Sequence, residues 1–271
     1  MSGVTVRTSR LLLVGAPAVL LVAVVTYALI SSGHGGNPVG RVLPSSPSHS
    51  LSPSTSPSPP TDDSVSGAAP QTDAPLPAAA DGLAPVVSRI PTTQPVIFLG
   101  IDDGIVKDPR VQQLIVSKHL PVTLFLTVNF VKNDYAYFKP MIDAGATVED
   151  HTISHPNLKT LPYAAQKQQF CETADAFAQA YGHRPLLGRP PFGNFNRDTQ
   201  RAAHDCGLKY LVNWHVNVRN NGILYQQGHQ LLPGDVLLMH FRTTLYGDLQ
   251  VVLKQCAQQG LKIAKLENYL L

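Results

Sequence analysis

Two adjacent carboxylates, Asp102 and Asp103, end an apolar run in the sequence FLGIDDGIV at residues 98–106. If the run is a buried strand, placing two charges there is unfavourable unless each has a partner. Neighbouring strand residues point to opposite faces, so two separate tasks fit the pair better than one shared task. Because DDG is also common turn chemistry, a plain turn is the alternative interpretation.

Two histidines four positions apart, His151 and His155, lie in the sequence EDHTISHP. Their spacing lets two imidazoles reach one ion from a helix or a tight loop, although chance pairs are easy to find among 10 histidines. One added carboxylate makes a His₂Asp set with an open position, the pattern of catalytic zinc sites. We therefore predict that one aspartate ligates a divalent ion, best matched by zinc, while the other accepts a proton.

Two further polar residues also follow apolar runs. Arg189 lies in GRPPFG at residues 188–193, which indicates either a rigid cleft wall or a plain strand-to-loop corner. If this segment forms a cleft wall, Arg189 would keep a nearby carboxylate ionised. The backbone N–H near Phe192 would then face an oxyanion. His240 ends the run GDVLLM and is either a core histidine or a candidate general acid.

The elements that position these residues alternate between strands and helices. Strands are predicted at 96–102, 122–127, 146–150, 186–190, 209–214 and 235–241, and helices at 109–119, 134–144, 163–181, 196–206 and 247–259; LKIAKL at 261–266 would close the sheet. This alternation predicts an α/β fold with a parallel sheet, whose functional residues lie where the strands end. A complete eight-unit barrel needs about 250 residues, so a smaller or irregular barrel fits better.

In their order along the chain, these motifs resemble those of the polysaccharide deacetylases of carbohydrate esterase family 4, also called the NodB-homology domain. GIDD at 100–103 is similar to the first motif of that family, and HTISHP at 151–156 to the second. RPPFG at 189–193 is similar to the third motif, and DVLLMH at 235–240 to the fifth. The resemblance covers about residues 93–271.

The resemblance implies a distorted, incomplete (β/α) barrel that hydrolyses N-acetyl groups of β-1,4-linked amino sugars and releases acetate. It also implies a general base oriented by an arginine, a general acid, three metal ligands, and residues that face the oxyanion or the substrate. By position, Asp102 matches the general base, Arg189 the arginine that orients it, and His240 the general acid. Asp103, His151 and His155 match the metal ligands. Phe192 and Trp214 match the residues that face the oxyanion or the substrate.

The sequence departs from the family's pattern at four positions, one of which is Ile101, where the first motif usually has phenylalanine. Gly100 begins the first motif in place of serine or threonine, and Phe241 stands where an aspartate often follows the histidine. Asn217 occupies the place of the aspartate in the fourth motif. Because an asparagine lacks the charge that favours imidazolium, we expect a lower pKa of His240 and slower turnover.

The first third of the chain predicts export. Residues 11–30 carry no charge, and about 20 apolar residues match the thickness of a bilayer. Basic residues precede this run, so we predict a cytoplasmic tail at 1–10 and an uncleaved transmembrane anchor, with a cleaved signal peptide as the alternative. Residues 31–92 are rich in serine and proline and predict a disordered linker. The domain at 93–271 would then be extracellular on a single-pass membrane protein, or secreted after cleavage.

Charge and cysteines narrow the remaining choices. The formal net charge of +3 is too small to argue for nucleic acid, and no protein partner is implied. With 3 cysteines, at most one disulfide forms. Cys171 and Cys206 lie in successive helical stretches and are the preferred pair, whereas three buried thiols remain the alternative.

Three functions are consistent with this sequence. The first is a metal-dependent deacetylase of a cell-wall or extracellular glycan, such as peptidoglycan or a chitin-like polymer. The second, motivated by Asn217, is a wall-glycan-binding protein with the same fold and weak or no catalysis. The third is a metal-dependent acyl-esterase. The intact set of aspartates, histidines and arginine favours the first.

Overall fold

A computed structural model describes residues 69–271 of the chain. The predicted cytoplasmic tail, the transmembrane segment at 11–30 and residues 31–68 of the predicted linker lie outside the described residues. Within the described part, no helix is long and apolar enough to cross a membrane.

The described residues form one ten-stranded sheet. Its strands are β1 (Val86–Val87), β2 (Val96–Asp103), β3 (Thr123–Leu126), β4 (Thr147–Asp150), β5 (Leu187–Gly188), β6 (Tyr210–Val212), β7 (Val216–Arg219), β8 (Gly222–Tyr225), β9 (Val236–His240) and β10 (Lys262–Ile263). The strand order is β1-β6-β5-β4-β3-β2-β9-β7-β8, and β10 pairs with the start of β2. Every pairing between these strands is parallel except the β7–β8 hairpin.

Helices connect most of the parallel strands. They are α1 (Pro109–Ser117), α2 (Val128–Val131), α3 (Lys139–Asp143), α4 (Tyr163–Tyr181), α5 (Arg197–Asp205), α6 (Leu245–Gln259) and α7 (Glu267–Leu270), with 3₁₀ turns at Tyr135–Tyr137, Leu158–Thr160 and Pro191–Gly193. Local sequence explains their ends: the Asp108 side chain caps α1 ahead of its proline, and Gly182, with φ 75°, ends α4.

Strand β2 is buried on both of its faces. Ile97, Leu99 and Ile101 belong to the core between the sheet and the helices, whereas Val96 and Phe98 belong to the core enclosed by the curled sheet. A strand covered on both sides has no polar face, which explains why its sequence is a continuous apolar run.

The sheet is curled into a half-barrel. Arg89, after β1, pairs with Asp235, before β9, and the Ile90 N–H donates a 2.9 Å hydrogen bond to the Gly234 carbonyl. These contacts join two strands that lie far apart in the sheet order. This architecture agrees with the predicted distorted, incomplete barrel.

Most predicted elements are present, but some are not as expected. The six predicted strands correspond to β2, β3, β4, β5, β6 and β9, and the predicted closing segment contains β10. The single helix predicted at 134–144 is wrong: a 3₁₀ turn precedes a short α3, because Pro140 fits only the first turn of a helix. The β7–β8 hairpin was not predicted; Asn220 and Asn221, with φ 53° and 59°, make its turn.

The predicted linker boundary at residue 92 requires correction. Residues 69–92 include β1, which pairs in parallel with β6, and the side chain of Ala84 is fully buried. The Thr92 hydroxyl donates a 2.7 Å hydrogen bond to the Gln71 carbonyl. A proline-rich segment is extended, and extended backbone can also join a sheet edge, so composition alone placed this boundary too late.

The preferred disulfide is confirmed. Cys171 in α4 is bonded to Cys206, which follows the last residue of α5. Cys256 is a buried free thiol, and burial raises its pKa to about 12. The bond therefore joins two neighbouring helices on the outside of the sheet.

Candidate active site

The predicted site residues meet at the C-terminal edge of the sheet. Asp102 and Asp103 end β2, His151 follows β4, Arg189 follows β5, and His240 ends β9. Together they surround a cavity of about 270 Å³. Its lining consists of Asp102, Asp103, His151, His155, Phe192, Trp214, Leu238, His240 and Arg242. Every predicted site residue except Arg189, which is fully buried, lines this cavity.

Arg189 holds one of the two carboxylates. Its Nη1 donates a 2.7 Å hydrogen bond to Asp102 Oδ1, and its Nε donates a 2.9 Å bond to the Val212 carbonyl. Its guanidinium carbon lies 4.1 Å from the centre of the Phe125 ring. A side chain fixed at three places cannot swing away, so Arg189 sets the orientation of Asp102.

Gly100 makes room for this arginine. A methyl group added at Gly100 would clash with the guanidinium of Arg189. In this structure the guanidinium of Arg189 therefore occupies the space beside Gly100 that a larger side chain would need.

Burial raises the pKa of Asp102, while the positive charge of Arg189 opposes that effect. An aspartate exposed to water has a low pKa, so at neutral pH its carboxylate is fully ionised but is a weak base. A raised pKa brings the carboxylate closer to the pH at which a general base works best.

Asp103 reaches the same cavity because its backbone is turned. Its φ of 78° lies in the left-handed region, which costs of order 1 kcal/mol or more for such a residue. Asp103 Oδ1 lies 3.5 Å from His155 Nε2 and 3.8 Å from His151 Nε2. This oxygen is buried and accepts no hydrogen bond within residues 69–271. The two aspartates thus have different environments, as the sequence indicated.

The tautomer of His151 follows from its partner. His151 Nδ1 lies 2.7 Å from the Arg189 carbonyl oxygen, which can only accept, so Nδ1 carries the proton. Nε2 is then left with a lone pair directed to the cavity. Burial lowers the pKa of His151 to about 3, which keeps the ring neutral and able to act as a ligand.

His155 is placed by a tight loop, not by a helix. Its φ is 57°, and its N–H donates a 3.0 Å hydrogen bond to the Thr152 hydroxyl. Thr152 in turn is fixed by its N–H, which donates a 2.8 Å bond to Asp150 Oδ1. The loop therefore holds the second imidazole against the first.

Asp103, His151 and His155 fit a divalent ion. Their ligand atoms all lie within 4.8 Å of one another. Two ligands on a tetrahedral zinc are roughly 3.3 Å apart, close to the 3.5 and 3.8 Å separations from Asp103 Oδ1. The buried oxygen without a donor and the neutral His151 also suit a cation. Among the described residues, this is the group that could hold a metal ion.

His240 pairs with Asp102 in the register of β9 and β2. Burial, reinforced by the charge of Arg242, lowers the pKa of His240 to about 4, and Asp102 opposes the shift. Asn217 Oδ1 is buried and has no hydrogen-bond partner within the described residues. Burial is the largest cause of this lowering of the pKa, and the effect expected from Asn217 stays a prediction.

One side of the cavity is apolar. Phe192 is 62% exposed, has a φ of 61°, and its ring centre lies 4.7 Å from that of His155. Trp214 and Leu238 complete this side. Leu238 and Arg242 were not predicted as site residues. Leu238 could have been found, because it lies two positions before His240 and shares its face of the strand. No motif marks Arg242.

Comparison with known proteins agrees with this geometry. The family model for polysaccharide deacetylase matches residues 89–211. An uncharacterised protein of Streptomyces coelicolor is 37% identical over 194 residues, which cover 69% of this chain and 78% of that protein. The chain belongs to the polysaccharide deacetylase family. The predicted family is thereby confirmed.

More distant members of the family have known activities. A chitooligosaccharide deacetylase of Sinorhizobium fredii is 26% identical, over 57% of this chain and 75% of that protein. A peptidoglycan-N-acetylmuramic acid deacetylase of Bacillus subtilis is 26% identical, over 55% of this chain and 61% of that protein.

Solved structures show the same fold. A family 4 carbohydrate esterase from Streptomyces lividans, in complex with acetate, has a TM-score of 0.55 and 24% identity, over 64% of this chain and 93% of that one. A pseudoenzyme of the same family from Bacillus anthracis has a TM-score of 0.60 and 23% identity, over 68% of each chain. Because the fold accommodates both enzymes and pseudoenzymes, activity has to be argued from the site.

Proposed function

We propose that this polysaccharide deacetylase family member is a metal-dependent hydrolase that removes N-acetyl groups from amino sugars of a cell-wall or extracellular glycan and releases acetate. One observation carries the proposal. A carboxylate held by an arginine, a candidate metal-binding group and a histidine all line the same small cavity. These are the three kinds of groups that hydrolysis of an unreactive amide requires.

Asp103, His151 and His155 would hold the ion. When bound, a divalent ion would polarise the acetamide carbonyl and make water a stronger nucleophile. Zinc suits a set of one carboxylate and two imidazoles, so we propose zinc. Asp103 would contribute the charge, and the two histidines would contribute neutral nitrogen ligands.

Asp102 would act as the general base. Arg189 occupies Oδ1, which leaves Oδ2 as the oxygen available to accept a proton. That oxygen lies 3.7 Å from His151 Nε2 and therefore faces the group that would hold the metal. Water positioned between them would lose its proton to Asp102 as its oxygen attacks the acetyl carbon.

His240 would protonate the leaving nitrogen. The carbon–nitrogen bond breaks only if the departing amine receives a proton, since an amide anion is a very poor leaving group. A low pKa makes protonated His240 a strong acid, and Asp102 on the neighbouring strand stabilises the charge. Acetate and the free amine are the products.

The location of the protein remains part of the proposal. The uncharged run at 11–30 and the serine- and proline-rich segment that follows it support an exported, membrane-anchored enzyme. Such a linker would let the domain reach a glycan at a distance from the membrane.

A second function is favoured by Asn217. Its buried, unpartnered carbonyl marks the place where the family's fourth motif has an aspartate. A chain with an impaired acid could still bind glycan, so a binding protein of low activity is the competing proposal.

Acetate release tests both proposals. The full-length protein, loaded with one equivalent of zinc, should release acetate from N-acetylated chitooligosaccharides or from peptidoglycan glycan strands. Asp102→Asn should lower the rate of release by about 10³-fold, whereas Asp143→Asn, a matched change at an exposed surface pair with Lys139, should not change it. Metal binding and glycan binding without acetate release would support the binding protein, and faster cleavage of acetyl esters than of acetamides would indicate an esterase.

A further inference from the structure

We propose that Arg242 binds a carboxylate of the substrate, so that the preferred substrates are N-acetylated glycans with an acidic group beside the acetylated sugar. This inference rests on the proposed deacetylase function and identifies its substrate class.

Arg242 is held at the rim of the cavity. It lies two residues after His240 and lines the same space. Its N–H donates a 2.7 Å hydrogen bond to the His240 carbonyl, and its own carbonyl accepts a 3.1 Å bond from the Leu245 N–H. Phe241, between the two, is fully buried. The backbone is therefore fixed, and only the long side chain can move.

Among residues 69–271, the guanidinium of Arg242 forms no direct ion pair with a carboxylate, although its charge acts on Asp103 across the cavity. Its side chain is exposed and makes no hydrogen bond or ion pair with another described residue. Three other arginines of the domain do have carboxylate partners: Arg189 binds Asp102, Arg89 binds Asp235, and Arg110 binds Asp108. An arginine kept free at a cavity wall is available to a ligand.

The balance of charge in the cavity leaves Arg242 as the cation that can meet a substrate. Arg189 is fully buried and its charge is held by Asp102, whereas Arg242 is exposed at the cavity. A cleft with residual positive charge concentrates anions. Guanidinium matches a carboxylate through two parallel hydrogen bonds, which adds direction to the attraction.

The other side of the cavity cannot make this distinction. Phe192, Trp214 and Leu238 offer apolar surfaces that would contact a sugar ring or an acetyl methyl group equally well in neutral and acidic glycans. Discrimination by charge therefore depends on Arg242. Within reach of one side chain, the acid must lie on the acetylated sugar or the next one, as a lactyl ether or a uronic acid.

Three oligosaccharides test the inference by their relative kcat/KM for acetate release. They are a neutral chitooligosaccharide, a peptide-free oligomer with N-acetylmuramic acid, and an oligomer of N-acetylglucosamine and glucuronic acid. A fourth, the muramic acid oligomer with its carboxylates converted to amides, is the matched neutral control. We expect the ratio of acidic to neutral substrate to fall about tenfold in Arg242→Gln and to be largely retained in Arg242→Lys. If the ratio falls for the muramic acid oligomer, Arg242 binds the lactyl carboxylate. If it falls for the glucuronic acid oligomer, Arg242 binds the uronic acid carboxylate.

Binding separates this inference from the proposed reaction. Titration calorimetry is carried out on proteins that all have the Asp102→Asn substitution. Adding Arg242→Gln should weaken binding of the acidic oligomer. Adding Arg197→Gln, at the exposed start of α5, should leave that binding unchanged. Arg242-dependent binding without acetate release from the wild type would overturn the deacetylase and keep the inference. Acetate release with an unchanged ratio in Arg242→Gln would overturn the inference and keep the deacetylase.

Discussion

The two ends of strand β9 carry the same kinds of side chains in very different states. At its start, Asp235 is 1% exposed and accepts hydrogen bonds of 2.7 Å from the Leu232 N–H and 2.9 Å from His215 Nδ1. Arg89 Nε lies 3.3 Å from the same carboxylate. At its end, His240 lines the candidate active-site cavity together with Asp103, whose Oδ1 is buried and has no donor among residues 69–271.

The difference separates structural polar groups from functional ones. At the start of β9, an aspartate, a histidine and an arginine satisfy one another, and they connect the segment after the edge strand β1 to β9 and β7. Asp103 Oδ1, by contrast, is buried with no donor among residues 69–271 and faces two imidazoles, so a bound cation would satisfy it. Residue type alone does not distinguish the two ends.

Cavity size is also a poor guide. A larger cavity of about 550 Å³ is lined by Arg89 and Pro233, near the start of β9. The smaller cavity has the candidate metal ligands. Asp103, His155 and Phe192 around it also have positive φ values, a strain that collects at functional sites.

Asp102→Asn should have the largest effect on the reaction. It keeps the shape but removes the base, so kcat should fall by about 10³-fold, within the usual range for general base catalysis. Metal content by mass spectrometry should be unchanged. A variant that keeps near-normal kcat would show that the carboxylate held by Arg189 is structural, like Asp235.

Asp103→Ala should weaken metal binding, which Asp102→Asn should leave unchanged. Removing the charged ligand should lower metal affinity by two or more orders of magnitude, because two neutral imidazoles remain. Equilibrium dialysis with zinc would measure this, and Asp102→Asn provides the comparison. Equal metal affinity in the two variants would contradict the division of tasks between the two aspartates.

Loss of the disulfide should affect stability, not chemistry. Cys171 and Cys206 are 35 positions apart, and a loop of that length predicts a loss of about 3–4 kcal/mol in the free energy of unfolding. Urea unfolding of the Cys171→Ala, Cys206→Ala double variant would measure it. In Cys256→Ala, which removes the free thiol, the disulfide should remain and the acetate-release rate of folded protein should be normal.

Asp235→Ala should show what the satisfied end of β9 contributes. It leaves the Leu232 N–H and His215 without their acceptor, which should cost about 2–3 kcal/mol in the free energy of unfolding. Below the melting transition, kcat should be unchanged. A large fall in kcat with an unchanged free energy of unfolding would contradict the structural role of Asp235. It would show that the start of β9 also contributes to the reaction.

Asn217→Asp should have the smallest effect. A carboxylate one strand away from His240 favours imidazolium, so the pKa of His240 should rise by about one unit. Turnover should then increase by about threefold to tenfold, and the alkaline limb of the kcat profile should move to higher pH because the acid keeps its proton longer. An unchanged profile would show that burial alone controls this histidine.

Sequence reasoning located the strands that carry the site and most of its residues. The apolar run before Asp102 and the spacing of His151 and His155 were sufficient, because strand ends and local ligand spacing are properties of short segments. Arg242 and the role of Gly100 were missed. Both depend on which side chains occupy a shared space, and one short segment has no information about its neighbours across the sheet.

The sequence by itself determined the family, the alternating α/β plan and the chemical types at the strand ends, since these follow from local periodicity and motif order. Only the tertiary structure decided which carboxylate Arg189 holds, that Asp103 is left without a donor, and that residues 69–92 complete the sheet. The physical reason is that hydrogen-bond satisfaction and burial arise between segments distant in the chain. The same Asp–His–Arg chemistry is structural at one end of β9 and available for catalysis at the other.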